Sequence, residues 1–268
     1  MSGSFRVGPR ALESLRLELS GRDMAIVGQV ADLKLMSARQ IEAVHFAAED
    51  HASTLTAART CRRALERLTR DRLLIRFDRR VGGIRAGSAS YLYGLGPVGQ
   101  RVIGLDGPRR RFREPGTTFV NHTLAMSQVV VDLAAAARKG RCDVLTCQSE
   151  PRCWRTFGGF GGATVLKPDL FVALGIGDFE HRWFIEVDRS TESLPTILRK
   201  CQIYAAYYAS GDEQHEHGVF PRVLWIAPNE DRVRRLQHAI EGDQRVATEL
   251  FVVASDATWL TAALGAPS

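Results

Sequence analysis

Three carboxylates stand close together in the second half of the sequence. Asp169 follows Pro168, and Glu186 and Asp188 are two positions apart in a segment that predicts a β-strand. Residues two apart on a strand point to the same face, and antiparallel pairing brings Asp169 to the same sheet edge. Three carboxylates there repel one another unless a divalent cation neutralises them, and such ligands suit Mg²⁺ or Mn²⁺. The set predicts a metal site, with all three as ligands, that activates water for phosphoryl transfer.

Lys200 follows on the next predicted helix, with Tyr204 one turn later on the same face. A lysine beside a metal-bound water orients the nucleophile or stabilises developing charge, so Lys200 joins the three carboxylates as a candidate catalytic residue. A structural alternative stays open. In it, Asp169 caps a turn and the other two carboxylates form ion pairs with Arg182, Arg189 or Lys200.

A helix predicted from Thr54 to Asp71 has one apolar face and one arginine-rich face. Its apolar residues recur at steps of three and four, and they are Leu55, Ala58, Cys61, Leu65 and Leu68. An α-helix fits the major groove of DNA, where side chains in its first half reach base edges. The candidate DNA-binding residues are Thr56, Arg59, Thr60, Arg62, Arg63 and Arg67. We place Arg62 and Arg67 nearer to phosphates than to bases.

The segments around this helix predict a winged helix-turn-helix. A helix from Arg22 to Leu35 comes first, and a short helix that Ser37 caps comes second. After the arginine-rich helix, LLIRFDRR and YLYGLG predict two strands joined by a glycine-rich loop. The joining wing adds Arg79, Arg80 and Arg85 as candidate DNA-binding residues. The alternatives are a solvated arginine face and a winged helix that binds protein.

The charge distribution favours a polyanionic partner for this part of the chain. The net charge is +6, but residues 1–115 hold 21 Lys+Arg against 12 Asp+Glu, whereas the remainder holds 15 against 18. Basic side chains that neutralise phosphates release condensed counterions, which stabilises binding to DNA. We therefore expect double-stranded DNA as the partner.

The order of predicted elements divides the chain into four parts. We expect a flexible arm at 1–20, the winged helix-turn-helix at 21–105, a linker at 106–118 and a second domain at 119–268. For the second domain, the sequence predicts elements in the order α-β-β-β-α-β-α-β. This order is typical of a mixed sheet flanked by helices. Within it, VLKPDLFVAL predicts a single strand. The fold class is therefore α/β (α+β).

Cysteine usage and hydropathy predict a cytoplasmic protein. The five cysteines include no Cys-x₂-Cys pair, and their odd number favours reduced thiols. The segment MSGSFRVGPR lacks the apolar run of an export signal, and no apolar stretch approaches the ~18 residues of a membrane span. We expect neither export nor a membrane partner.

The second-half motif resembles a known nuclease core. Pro168-Asp169, Glu186-x-Asp188 and the helix with Lys200 resemble the PD-(D/E)xK pattern. That resemblance implies a restriction-endonuclease-like αβββαβ domain with Asp169 and Glu186 as metal ligands. The sequence departs from the pattern at Asp188, where the family has lysine. Lys200 supplies the missing charge from the helix, or catalysis is lost and only the fold remains.

The longer string IEVDRSTESLPTILRKCQIYAAYY, together with the predicted winged helix, resembles the replication-relaxation family of plasmids and mobile elements. The resemblance covers roughly residues 24–210. It implies a DNA-binding protein that acts in the replication, relaxation or regulation of such DNA. A relaxase or replication protein is an expected partner, as is a second copy of the chain.

Two functions follow from these patterns. In the first, the chain is a DNA-binding replication or regulatory factor whose nuclease-like domain is non-catalytic. In the second, it is an endonuclease or nickase that depends on Mg²⁺ or Mn²⁺ and is guided by the winged helix. Both functions use the arginine-rich helix. They differ in whether the site with Asp188 in place of lysine still cleaves DNA.

Overall fold

A computed structural model describes residues 8–81, 90–105, 115–159 and 162–265, and the side chains of residues 78–81 lie outside that description. By internal packing the chain divides into two units, residues 1–131 and 132–268. The division falls within a helix that spans Thr117–Arg138. Each unit has its own secondary structure and is considered separately.

The first unit combines helices with a small antiparallel sheet. Its elements are α1 (Pro9–Glu18), α2 (Gly21–Leu33), β1 (Leu35–Ser37), α3 (Ala38–His45), a 3-10 turn (Ala48–Asp50), α4 (Thr54–Arg70), β2 (Leu74–Val81), β3 (Ser90–Leu95), α5 (Pro97–Val102) and the beginning of α6 (Thr117–Arg138). The strand order is β1-β3-β2, and both pairings are antiparallel. From α2 onward, the order is therefore one helix (α2), one strand (β1), two helices (α3 and α4) and a hairpin (β2 and β3).

Local capping explains where α2 and α3 begin. The Ser20 side chain accepts from the backbone N–H of Asp23, whose carboxylate accepts from Ser20 in return. Ser37 and Gln40 form the same reciprocal pair at the start of α3. Each capping box satisfies backbone donors that a helix start leaves without partners. The predicted cap at Ser37 is confirmed.

The beginning of α6 belongs to the core of the first unit. Val120 is fully buried against Leu35 and Leu92. The Ser127 hydroxyl donates to the Leu35 carbonyl over 2.8 Å, and the Gln40 amide donates to the Leu124 carbonyl over 2.8 Å. These bonds hold β1 and α3 against α6.

The second unit is built on a mixed five-stranded sheet. Its elements are the end of α6, β4 (Asp143–Ser149), β5 (Arg155–Gly159), β6 (Gly162–Leu166), β7 (Leu170–Ile176), β8 (Phe179–Val187), α7 (Leu194–Ser210), α8 (Asp212–His217), β9 (Arg222–Ala227), α9 (Glu230–Glu241), a 3-10 turn (Thr248–Leu250), β10 (Phe251–Ser255) and α10 (Trp259–Leu264). The strand order is β10-β9-β8-β7-β4, and β5 and β6 pair with each other.

The connections of this sheet explain its mixed directions. Short connections make β7 antiparallel to β8, whereas helical crossovers make β9 parallel to both β8 and β10. The central strands have almost continuous buried runs, as strands covered on both faces do. This confirms the predicted mixed α/β fold with a mixed sheet.

Two predicted features differ from the structure, and two strands were not predicted. Residues 9–18 form α1 rather than a flexible arm, and the Arg16 guanidinium donates to the Arg101 and Val102 carbonyls. The predicted strand VLKPDLFVAL is two strands, because β6 ends at Leu166 and β7 starts at Leu170. Its proline has no N–H to donate to a sheet. Strands β1 and β5 were not predicted.

The remaining boundaries are less fully described. The predicted linker at 106–118 lies largely outside the described residues, and the domain limits stay predictions. Within the described ranges, no helix has the length and apolar character needed to cross a membrane.

Close packing at α5 gives a stability test. A Cβ at Gly99 would lie 2.2 Å from the Leu73 carbonyl oxygen and 2.8 Å from a Leu95 methyl group. Gly99→Ala should therefore lower the free energy of unfolding by about 1–3 kcal/mol. Gly28→Ala is the matched control, because a Cβ there meets nothing within 4 Å. Urea unfolding followed by circular dichroism measures both, and equal effects would contradict the packing at Gly99.

Candidate functional site

Helix α4 begins at the residue that the sequence predicts. The Ser53 hydroxyl accepts from the Thr56 backbone N–H over 3.2 Å and so caps the helix. The buried side chains of the helix are Ala57, Cys61, Ala64, Leu65 and Leu68. Two predicted members of this face differ, because Ala58 is half-buried and Leu55 is 69% exposed.

The opposite face of α4 presents three arginines to solvent. Arg59, Arg62 and Arg63 are all exposed. None of them makes a hydrogen bond or ion pair with another residue in the described part of the chain. Three positive charges within about one helical turn raise the local electrostatic potential and attract anions. We call these three residues the arginine face.

The other predicted residues of α4 have partners. The Thr60 hydroxyl donates to the Thr56 carbonyl of the same helix over 2.9 Å. Thr60 is half-buried, whereas Thr56 is exposed. Arg67 pairs with the buried Asp23 over 2.5 Å, and its side chain stays 46% exposed. Arg67 therefore fixes α4 to the start of α2, a role that the sequence did not predict.

The hairpin is only partly described. Arg79 and Arg80 lie in β2, but their side chains are outside the described part of the structure, as is the whole of Arg85. Arg76 on the same strand is exposed, and its guanidinium lies 4.6 Å from the centre of the Tyr91 ring. Arg76 is an exposed basic residue of the hairpin that was not among the predicted DNA-binding residues.

In the second unit, Glu186 is the centre of a buried charge cluster. It lies on β8 with only 1% of its surface exposed. The Tyr204 hydroxyl donates to its Oε1 over 2.6 Å, and the Lys200 ammonium donates to its Oε2. Lys200 and Tyr204 are one turn apart on α7, which confirms the predicted shared face.

Burial governs the titration of this cluster. Burial raises the pKa of Glu186 to about 8, the Lys200 ammonium opposes that rise, and the Asp169 carboxylate adds to it. Burial alone would lower the pKa of Lys200, but Glu186 and then Asp169 raise it above its ordinary value. Burial next to Glu186 also raises the pKa of Tyr204 well above its ordinary value.

Asp169 lies one residue before β7 starts. Its Oδ2 accepts from the Val187 backbone N–H over 2.8 Å, next to Glu186 in the chain. Leu170 pairs with Ile185 across the two strands. The predicted approach of Asp169 to the end of β8 is therefore confirmed.

Asp188 has a different partner from the one that the sequence predicts. Strand β8 ends at Val187, and Asp188 accepts from the Arg232 Nε over 2.6 Å and from the Ser190 backbone N–H over 2.9 Å. Both side chains of the Asp188–Arg232 pair are buried. Asp188 therefore neutralises a buried arginine of α9 instead of completing a carboxylate cluster, and this corrects the predicted convergence of three carboxylates.

The arrangement does not fit a divalent cation. Within the described ranges, no group of three or more His, Cys, Asp or Glu side chains is placed to hold a metal ion. Both Glu186 oxygens already accept hydrogen bonds, and both Asp188 oxygens do so as well. Mg²⁺ or Mn²⁺ at Glu186 and Asp188 would have to displace these hydrogen-bond donors, and binding of either ion stays a prediction.

A family model described as replication-relaxation matches residues 28–223, which include α4, Glu186 and Lys200. The chain belongs to the replication-relaxation family. Membership supports a role, at a coarse level, in the replication or relaxation of mobile DNA. Comparisons with the curated proteins and with the solved structures find no match.

This replication-relaxation protein also contains a site residue that the sequence did not reveal. Arg232 lies beyond the matched region and 44 positions after Asp188. Its Nη2 also donates to the Glu192 carbonyl over 2.9 Å, which fixes the segment between β8 and α7. No local pattern distinguishes Arg232 from the exposed Arg234 and Arg235 of the same helix. Only the Leu236 and Val233 face of α9 hints that it lies near the core.

The raised pKa of Glu186 predicts how stability depends on pH. A free glutamate titrates near pH 4.3, so between about pH 4.3 and pH 8 Glu186 holds more protons in the folded chain than in the unfolded chain. The free energy of unfolding of the second unit should therefore fall as pH rises from about 5 to 8, by at most ~1.4 kcal/mol per pH unit. Glu186→Gln should flatten that slope.

Tryptophan fluorescence during urea unfolding measures this effect, because all four tryptophans lie in the second unit. Glu241→Gln, at an exposed carboxylate at the end of α9, is the control and should keep the wild-type slope. Identical slopes in wild type and Glu186→Gln would show that this carboxyl does not titrate in the window.

Proposed function

We propose that the protein binds double-stranded DNA through the arginine face of α4, and that it acts in the replication, relaxation or regulation of plasmid or mobile-element DNA. The observation behind this proposal is that Arg59, Arg62 and Arg63 are exposed and pair with no described residue. Exposed guanidinium groups that lack internal partners are suited to phosphates and to guanine edges.

The order of elements around α4 supports this proposal. Helices α3 and α4 are consecutive, and the β2–β3 hairpin follows, with β1 added to its sheet. In a helix-turn-helix protein the second helix of the pair enters the major groove, and its first residues contact base edges. We assign that role to α4, which we call the reading helix, and the wing role to the hairpin.

The residues of the reading helix take different roles in this proposal. Thr56, Arg59 and Arg63 lie where the first turns of a groove-bound helix contact base edges. Arg62 contacts phosphates, while Arg67 keeps the helix fixed to Asp23. Thr60 supports the helix rather than the DNA, because its hydroxyl bonds to the Thr56 carbonyl. Arg76, Arg79, Arg80 and Arg85 are proposed backbone contacts of the wing.

Fluorescence anisotropy of labelled duplex DNA at several salt concentrations tests the proposal. Arg63→Ala should weaken binding to a preferred duplex by about 1–3 kcal/mol if Arg63 contacts a base. The combined Arg59→Ala, Arg62→Ala and Arg63→Ala variant should reduce the slope of log K against log salt by about 0.9 for each phosphate that the protein no longer neutralises.

Arg235→Ala is the matched control, because Arg235 is an exposed arginine on α9. It removes the same type of charge from the chain and should leave affinity and salt slope near their wild-type values. If the triple variant and Arg235→Ala behave alike, α4 is not the DNA-binding element.

A second candidate function is a metal-dependent endonuclease or nickase. The observation that favours it is the contact of Lys200 with Glu186, close to Asp169, which supplies from a helix the charge that a nuclease core needs. Against it stand the occupied oxygens of Glu186 and the Asp188–Arg232 pair. We therefore favour the DNA-binding function.

Supercoiled plasmid incubated with Mg²⁺, Mn²⁺ or EDTA separates the two functions. The favoured function predicts no nicking under any of these conditions, together with a salt-sensitive gel shift of the same DNA. Metal-dependent nicking that disappears in Glu186→Gln would establish the nuclease instead.

The proposed partners follow from the DNA-binding function. A homodimer would place two reading helices on adjacent half-sites of the DNA. A relaxase or replication protein is the proposed protein partner, and the cytoplasm, where plasmid DNA resides, is the proposed location.

A further inference from the structure

Leu55 is an exposed apolar residue at the start of the helix that carries the arginine face. It is the second residue of α4 and is 69% exposed. It lies one turn before Arg59 and two turns before Arg62, so it shares their side of the helix. Within α4, which is described along its whole length, it is the one large apolar side chain on the exposed side.

The surroundings of Leu55 restrict what can cover it. Burying the arginine face against an apolar protein surface would strip water from guanidinium groups that have no acceptors, at a high free-energy cost. A fitting partner must offer anionic acceptors and an apolar group within the same few ångströms. The DNA major groove does so, because phosphates line it and the thymine C5-methyl group is its apolar base-edge feature.

We propose that Leu55 contacts a thymine methyl group and makes thymine a required base in the preferred site of the reading helix. This inference rests on the proposed DNA-binding function. Leu55 and Arg59 are separated by about 6 Å along the helix axis, and stacked bases by about 3.4 Å. The thymine therefore lies within about two base pairs of the base that Arg59 contacts, and arginine pairs best with guanine.

The test begins with the full-length protein and a random duplex library, from which preferred sites are selected. Each thymine of the selected duplex is then replaced, one at a time, by deoxyuridine, which removes only the methyl group. One replacement should weaken wild-type binding about four-fold, the factor that corresponds to a single buried CH₂-sized group. Replacements at the other thymines should leave the affinity unchanged.

Variants of the leucine assign this effect to its side chain. Leu55→Ala should bind the thymine and deoxyuridine duplexes equally. Leu55→Met should keep the preference for thymine, because methionine is an apolar side chain of similar length. Leu17→Ala, at another exposed leucine on α1, should behave as wild type. Because Leu55 is exposed, Leu55→Ala should retain the wild-type circular dichroism spectrum.

The outcomes separate this inference from the function on which it rests. DNA binding that the arginine-face variants weaken, without any deoxyuridine effect or with the effect intact in Leu55→Ala, would overturn only the thymine contact. Binding without any enriched sequence would overturn it too. Absence of DNA binding, or binding that the arginine-face variants leave unchanged, would overturn both.

Discussion

An arginine cannot enter an apolar core without a partner for its guanidinium group, and this constraint decides which way α4 faces. The helix buries a narrow stripe of small and apolar side chains, with Cys61, Leu65 and Leu68 at its centre. Burial of that stripe orients the helix, and the arginines then have no position except the solvent side. Capping by Ser53 and the pairing of Arg67 with Asp23 fix where the helix starts and how it is held. The surface that we assign to DNA is therefore a consequence of packing.

The same constraint has the opposite result in the second unit. There the buried carboxylates are paired, Glu186 with Lys200 and Asp188 with Arg232. Removing Asp188 leaves the buried Arg232 charge uncompensated, which costs several kcal/mol. These pairs hold α7 and α9 to the end of β8, so this region acts as a junction of the sheet with its helices. On α4, Arg59, Arg62 and Arg63 have no hydrogen-bond or ion-pair partner among the described residues, and for that reason we place the function there.

Local sequence signals predicted the elements but not the long-range pairs. The cap at Ser37 and the start of α4 follow from spacing and capping residues, and the structure confirms them. Strand β1 is only three residues long and forms because β3 supplies its pairing partner. Three residues are too few to show the alternation of apolar and polar side chains that predicts a strand. The Asp188–Arg232 pair depends on a parallel crossover between β8 and β9 that brings α9 alongside. Such contacts follow from tertiary packing, which spacing along the chain does not encode.

Chemical modification of arginines in the full-length protein, with and without duplex DNA, tests the central claim most directly. Phenylglyoxal labelling followed by mass spectrometry reports how accessible each guanidinium group is. Our account predicts that Arg59, Arg62 and Arg63 react readily in the free protein and become protected when DNA binds, whereas Arg235 reacts equally in both states. Continued reactivity of the arginine face on DNA-bound protein, with protection confined to residues 132–268, would contradict it.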